Sequence, residues 1–333
     1  MKRPLAAVLA LFALLVLSAP AKAEAIKIGS TKIASGGPIY IALDKGYLAA
    51  EGLEAQIVFF AAALPIAIAT VSGDIDFGSA GLTGALYQLG GQGKLRIVAG
   101  NARDTAGFPQ SAFVISNKAA AAGLKSYADI GGKSVGLAEV GAPAHYTLSL
   151  IVTKHGVDLA SVRILPLQAI VNVISAVSGG QADGGVIPTS AILPAIQRGD
   201  VKLLGYPGDE VPTQNGATVI TTKTADERGD LVQRYLRALK KGARDYHDAF
   251  VGPDGKPQKG PSADATLAII AKYTGQPVEQ IRPALPYIDR EERLDVKDVL
   301  RQIAWYQEQG MIKGEVDGDK LIDKRYVVPL PNK

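Results

Sequence analysis

The chain has 333 residues, 47% of them hydrophobic and 20% charged, with 36 basic against 32 acidic residues and no cysteine. This composition excludes a disordered chain, and the missing cysteine excludes disulfides, thiolate metal sites, cysteine nucleophiles and a lipid-anchored form of export. Three basic residues (Lys2, Arg3 and Lys22) precede the first acidic one, Glu24, leaving 33 against 32, so bulk charge gives no case for nucleic-acid binding. His145, His155 and His247 are the only histidines, and neither a metal site nor a cofactor is expected.

Residues 1–23 read as a secretory leader. Lys2 and Arg3 form its positive start, Leu5–Leu17 an apolar run, and Ala21 and Ala23 an A-x-A exit, which predicts cleavage before Glu24. The apolar run falls short of the roughly 20 residues of a membrane span. No later stretch reaches that length without charges or Gly/Pro breaks. The expectation is an exported protein with no stable membrane insertion.

The mature chain, long enough for two domains, opens with a strand at Ala25–Ser30 and a helix at Pro38–Glu51, closed by Gly52. Glu54–Phe60 reads as a strand, Leu64–Ser72 as a helix and Ile75–Ser79 as a strand. Leu82–Leu89 then reads as a helix and Leu95–Gly100 as a strand. This alternation predicts an α/β fold with a mostly parallel, helix-flanked sheet. The rhythm restarts with strands at Ala112–Ser116, Ser134–Ala138, Arg163–Leu167, Ala182–Ile187 and Val201–Leu204, interleaved with helices at Ala144–Lys154, Ile170–Val177 and Ser190–Gln197. After a strand at Ala217–Thr221 the patterns are helical: Asp230–Phe250, Asp264–Tyr273, Val278–Leu285 and Val296–Gln309, with a turn-rich loop at Gly252–Pro261.

The two halves echo one another. Val71-Ser72-Gly73-Asp74-Ile75-Asp76-Phe77-Gly78 and Val177-Ser178-Gly179-Gly180-Gln181-Ala182-Asp183-Gly184-Gly185 each follow an apolar helix, and each precedes a further helix and an apolar strand. Shared downstream order argues for two similar α/β lobes. Catalytic signatures fail on inspection. Gly132-Lys133-Ser134 has Tyr127 where a phosphate loop needs glycine, and Gly78-Ser79-Ala80-Gly81 has Phe77 where a nucleophile elbow needs one. Asp317-Gly318-Asp319 is too short a ligand series for calcium. No catalytic residue is expected.

What remains is a set of strand-to-helix turns rich in small polar residues: Thr31–Gly37, Ser79–Thr83, Gly100–Arg103, Val140–Tyr146 and Ile187–Ser190. In an open α/β sheet such turns lie at the carboxyl ends of strands, where ligands bind, and helix starts there favour anions. The candidate ligand contacts are the backbone of Ser35, Gly36 and Gly37, together with Ala80, Gly81, Asn101, Gly141 and Ala144. The hydroxyls of Thr83, Thr189 and Ser190 join them, and Phe60 offers a ring to the cleft. Arg103 is the charged partner for an anion, His145 a donor to an oxyanion and Tyr146 a cover for an apolar part of the solute. Trp305 and Tyr306 read as packing residues.

The run Gly37-Pro38-Ile39-Tyr40-Ile41-Ala42-Leu43-Asp44-Lys45-Gly46-Tyr47-Leu48-Ala49-Ala50-Glu51-Gly52-Leu53, followed by Gly73-Asp74-Ile75-Asp76-Phe77-Gly78, resembles the opening of a family of periplasmic proteins. These are the solute-binding proteins of ABC importers for nitrate, sulfonates, taurine and thiamine-precursor pyrimidines. The stretch Gly179–Gly185 resembles the family's second-lobe motif, and the likeness runs from Ile26 to about Gln309. It implies a hinged two-lobe protein, lobe one being about 24–112 and 218–333, and lobe two about 113–217. The crossings would fall near Phe113–Asn117 and Thr218–Thr222. A monomer is implied that closes on a small anionic solute, a sulfonate or carboxylate, and docks on a membrane permease. Two alternatives stand beside it, a pyrimidine-precursor enzyme, whose Cys-rich signature this chain lacks, and a ligand-binding module for a sensor protein.

Overall fold

The structure, a computed structural model, describes residues 23–331. The expected leader lies outside these residues apart from Ala23. In chain order the strands are β1 (Glu24–Thr31), β2 (Leu53–Phe60), β3 (Phe77–Gly81), β4 (Leu95–Gly100), β5 (Arg103–Asp104) and β6 (Ser111–Ser116). They continue with β7 (Ser134–Leu137), β8 (Arg163–Pro166), β9 (Gly184–Pro188), β10 (Val201–Gly205), β11 (Thr213–Gln214) and β12 (Gly216–Thr221). Sheet one has the order β2-β1-β3-β12-β4, and sheet two, read in the matching direction, β8-β7-β9-β6-β10. Each is therefore built to one plan, with a parallel triplet and a strand inserted between it and the far edge.

The class is α/β, as the alternation predicts, but the sheets are more mixed than expected. β1 runs parallel to β2 and β3, whereas β12 is antiparallel to β3 and β4. Likewise β7 is parallel to β8 and β9, whereas β6 is antiparallel to β9 and β10. The physical reason is that β6 and β12 arrive from the other sheet, so no crossover helix sets their direction.

Helices cover both faces of each sheet, and the strands are apolar on both sides accordingly. Ile97 and Val219 pack with Ile66, Leu86 and Ile303 on one face of sheet one. Their neighbours Val98 and Ile220 pack with Ile39, Leu231 and Tyr235 on the other, as the two-residue period of a strand requires. In β6 the same alternation sends Phe113 and Ile115 to one layer and Ala112 and Val114 to the opposite one.

Two expected helices are interrupted. Pro38–Glu51 divides into Gly37–Asp44 and Tyr47–Ala50 because Gly46 takes a φ of 72°, a left-handed conformation that ends a helix. Val278–Leu285 tightens to a short 3₁₀ turn at Arg282–Ala284, where Pro283 has no N–H to continue the ladder. The long helix Gly229–Phe250 crosses the helix Gly37–Asp44 closely at Gly242, where a Cβ would stand 2.1 Å from the Pro38 carbonyl oxygen.

The chain passes between the sheets at residues 101–110 and 206–215, and not within β6 and β12 where the crossings were expected. There β5 and β11 pair as a short antiparallel ribbon. The buried Asp104 carboxylate accepts from Ser111 Oγ (2.8 Å) and Asn215 Nδ2 (3.0 Å), and Asn215 Oδ1 accepts from the Asp104 N–H (2.9 Å). One carboxylate thus ties both crossing segments. Burial pushes its pKa up from 3.8 to about 6, against the pull of the Asn215 and Ser111 hydrogen bonds.

A carboxyl whose pKa is raised on folding favours the folded state when protonated. That contribution is complete below the unfolded value of 3.8 and is lost as pH rises through about 6. Relative to Asp104→Asn, the wild-type protein is expected to lose up to about 3 kcal/mol between pH ~4 and pH ~7. Urea denaturation of both proteins across that range measures it, and a pH-independent difference would refute it.

Candidate functional site

A cavity of about 410 Å³ lies between the sheets. Thr31, Phe60 and Gly81 reach it from the carboxyl ends of β1, β2 and β3. Ala138, Gln168 and Pro188 reach it from the carboxyl ends of the matching strands β7, β8 and β9. Asn101 and Asn215, from the crossing segments, complete the floor. This is where a doubly wound sheet leaves room for a ligand, because the strand-to-helix turns splay apart there.

Four of those turns end in a helix whose N-cap residue lines the cavity and offers no side-chain cap. Ala62 precedes the helix Ala63–Ser72, and Ala142 precedes Pro143–Lys154. Ala169 precedes Ile170–Ser178, and Pro188 precedes Thr189–Arg198. Away from the cavity both kinds of start occur, and Gly229–Phe250 and Ala263–Thr274 also begin without a side-chain cap. Thr83, Ser116, Thr221 and Asp295, none of them in the lining, each accept a hydrogen bond from a first-turn N–H. The first amides of a helix have no partner within it, and aligned peptide dipoles give that end a partial positive charge. Four such starts bring their positive dipole ends to one cavity, although Pro143 has no N–H and the Thr189 N–H is held by the Gln110 carbonyl (2.9 Å).

Seven of the residues expected at the site line the cavity: Ser35, Phe60, Ala80, Gly81, Asn101, Ala144 and Ser190. The others do not. Gly36 and Gly37 are buried against Tyr40 and Tyr246, where the helix Gly37–Asp44 needs room for those rings. Thr83 spends its hydroxyl on capping the Leu86 N–H (3.0 Å), and Thr189 is buried with its N–H on the Gln110 carbonyl (2.9 Å). Gly141 bridges the sheets through its carbonyl, which accepts from the Gly84 N–H (2.9 Å).

The three side chains given the leading roles sit elsewhere. Arg103 Nη2 is on Asp295 Oδ2 at 2.8 Å, so its charge serves the crossing ribbon. His145 accepts from the Gly141 N–H at Nδ1 (3.2 Å), and burial lowers its pKa to about 4, so it is neutral and packed edge-on against Trp305. Tyr146 is buried and donates to Asp298 Oδ1 (3.1 Å). Trp305 and Tyr306 pack against it, in line with the role expected of them.

Several lining residues carried no signal in the sequence. Lys32 and Glu139 are the two charged members, and Glu139 is half-buried, its carboxyl raised by desolvation. Gln168 has a φ of 66°, a left-handed conformation that residue type alone does not announce. Gln110 and Asn215 come from the crossing segments, Ser111 from the start of β6, and Ala284 and Pro286 from the C-terminal region, which only the fold brings to the cavity. The uncapped alanines were findable, since a turn followed by a helix without Ser, Thr, Asp or Asn at its start is an irregularity. Arg103→Ala is expected to lower stability by about 1–3 kcal/mol by leaving Asp295 without its partner, while the cavity keeps its shape. Denaturant titration reads that loss, and an unchanged midpoint would contradict the assignment.

A family model described as NMT1/THI5 like matches residues 34–249, more than half of the chain. No curated protein sequence matches significantly. Among solved structures, the periplasmic aliphatic sulphonate binding protein SsuA from Escherichia coli superposes with a TM-score of 0.70 at 18% identity, covering 93% of this chain and 94% of that one. The alkanesulfonate-binding protein SsuA from Xanthomonas axonopodis pv. citri, bound to MOPS, gives 0.68 at 18% identity, covering 93% and 100%. The periplasmic nitrate-binding protein NrtA from Synechocystis PCC 6803 gives 0.68 at 14% identity, covering 91% and 86%. At these identities the likeness is one of fold, and that fold is the periplasmic binding protein fold. By the family match, the chain belongs to the NMT1/THI5-like family.

Proposed function

We propose that this protein is the periplasmic solute-binding component of an ABC importer. It captures a small organic anion of the sulfonate or carboxylate class and delivers it to a membrane permease. The observation that carries this reading is the ring of four helix starts without side-chain caps around a cavity between two sheets. Backbone amides at helix N-termini bind anions without a charged side chain. The solved relatives support it, because their names record binding of sulfonates and nitrate in the periplasm.

In this reading the lobes follow the two sheets and meet at the β5–β11 ribbon, so the boundaries lie at the ribbon and not inside β6 and β12. Solute held between the lobes favours the closed arrangement, and closure excludes water that would otherwise compete for the amides. The protein acts as a monomer, its leader is removed before Glu24, and binding occurs without turnover.

Purified protein is expected to gain thermal stability with its solute, by about 2.7 kcal/mol at a hundredfold excess over Kd. A panel of sulfonates, carboxylates, nitrate-like anions and pyrimidines that produced no shift would end this reading. A second test acts on the helix starts directly. Ala142→Asp supplies the missing cap, and it is expected to stabilise the free protein by about 1 kcal/mol while weakening an anionic solute at least about tenfold. Calorimetry showing unchanged affinity would remove that helix from the site.

A further inference from the structure

The cavity is electrically asymmetric. Sheets one and two share a strand plan in which β1 corresponds to β7. Lys32 follows β1 and Glu139 follows the end of β7 by two residues, so opposite charges occupy equivalent turns and line one cavity. They do not form an ion pair with each other, and among the described residues neither has another ion-pair partner. Lys32 is exposed and lies over the Phe59 ring, 5.9 Å from its centroid. Glu139 is half-buried, and none of the described residues donates a hydrogen bond to its carboxylate.

A second acceptor in the same lining is also unsatisfied. Gln110 Oε1 is buried and has no hydrogen-bond partner. A half-buried carboxylate and a buried amide oxygen, both without donors, are acceptors that a ligand carrying N–H groups would satisfy. Three of the four helix starts without side-chain caps, at Ala142, Ala169 and Pro188, rise from sheet two, on the same side as Glu139. A solute bearing only negative charge would gain from those amides and be repelled by Glu139. One bearing both signs satisfies both.

We infer that the solute is zwitterionic: beside its anionic group it carries a protonated nitrogen, for which Glu139 is the counter-charge and Gln110 a second acceptor. The inference rests on the solute-binding reading above and narrows it to amino-sulfonates and amino-carboxylates. Glu139 then acts as a specificity residue, because an N–H donor is demanded as well as an anion.

The test is calorimetry and thermal shift on matched pairs: taurine against ethanesulfonate, β-alanine against propionate, and aminohexanoate against hexanoate. Wild-type protein is expected to bind the amino member of at least one pair about tenfold or more tightly than its partner. Glu139→Gln is expected to abolish that preference, and Glu139→Asp to retain part of it. Because the preference is read on the wild type first, the test does not depend on any variant folding. Equal or tighter binding of the des-amino compounds, or a preference that survives Glu139→Gln, overturns this inference and leaves the solute-binding reading standing. Absence of binding by every compound in the pairs overturns the inference as well, and the wider panel above decides whether the solute-binding reading falls with it.

Discussion

Everything else in this molecule is hung on the buried polar network where the chain crosses between its sheets. Asp298 is fully buried, and its carboxylate accepts from the Gln214 N–H (2.7 Å), the Tyr146 hydroxyl (3.1 Å) and Gln302 Nε2 (2.9 Å). Gln302 also donates to the Gln214 carbonyl (2.7 Å) and accepts from the Tyr87 hydroxyl (2.9 Å). One carboxylate therefore joins the crossing ribbon, the first turn of the helix Pro143–Lys154 and the C-terminal helix Val296–Glu308. In a low-dielectric interior such a network is costly if half made and rigid when complete. Its completeness sets how the two sheets face each other, and with that the dimensions of the cavity.

Given that frame, the cavity's chemistry follows from what its turns omit. A helix start normally keeps a Ser, Thr, Asp or Asn to satisfy its own amides, as Thr221 and Asp295 do here. Ala62, Ala142, Ala169 and Pro188 forgo that stabilisation, and all four line the same cavity. For the anionic solute proposed above, a chain with 33 basic against 32 acidic residues from position 23 on offers no strong overall field, so the attraction would come from local dipoles. Glu139 and Lys32 then add direction along the cavity.

Much of the fold was legible because strand and helix periods differ. β4 was expected at Leu95–Gly100 and is found there, and the helix expected at Ala144–Lys154 begins one residue earlier, at Pro143. The echo between Gly73–Gly78 and Gly179–Gly185 corresponds to β3 and β9, equivalent strands of the two sheets. Strand direction was less legible: β6 and β12 are inserted antiparallel by long-range pairing, and no local pattern encodes that. Of the small residues singled out in strand-to-helix turns, Ala80, Gly81 and Ala144 line the cavity. The chemically conspicuous Arg103, His145 and Tyr146 are absent from that lining, because charge and aromaticity serve packing as readily as binding.

By itself the sequence determined the α/β class, the two repeated units and the kind of turns that surround a cleft. Those features are local, set by hydrophobic period, chain-reversing residues and the shortage of charge. Tertiary structure alone decided which turns meet. It turned Arg103, His145 and Tyr146 into the supports of the interface between sheets, through Asp295, Trp305 and Asp298, partners more than a hundred residues away. It also brought Lys32, Gln110 and Glu139 to one cavity. The physical reason is that a side chain's role depends on what desolvates it and what pairs with it, and both are supplied by distant segments of the chain.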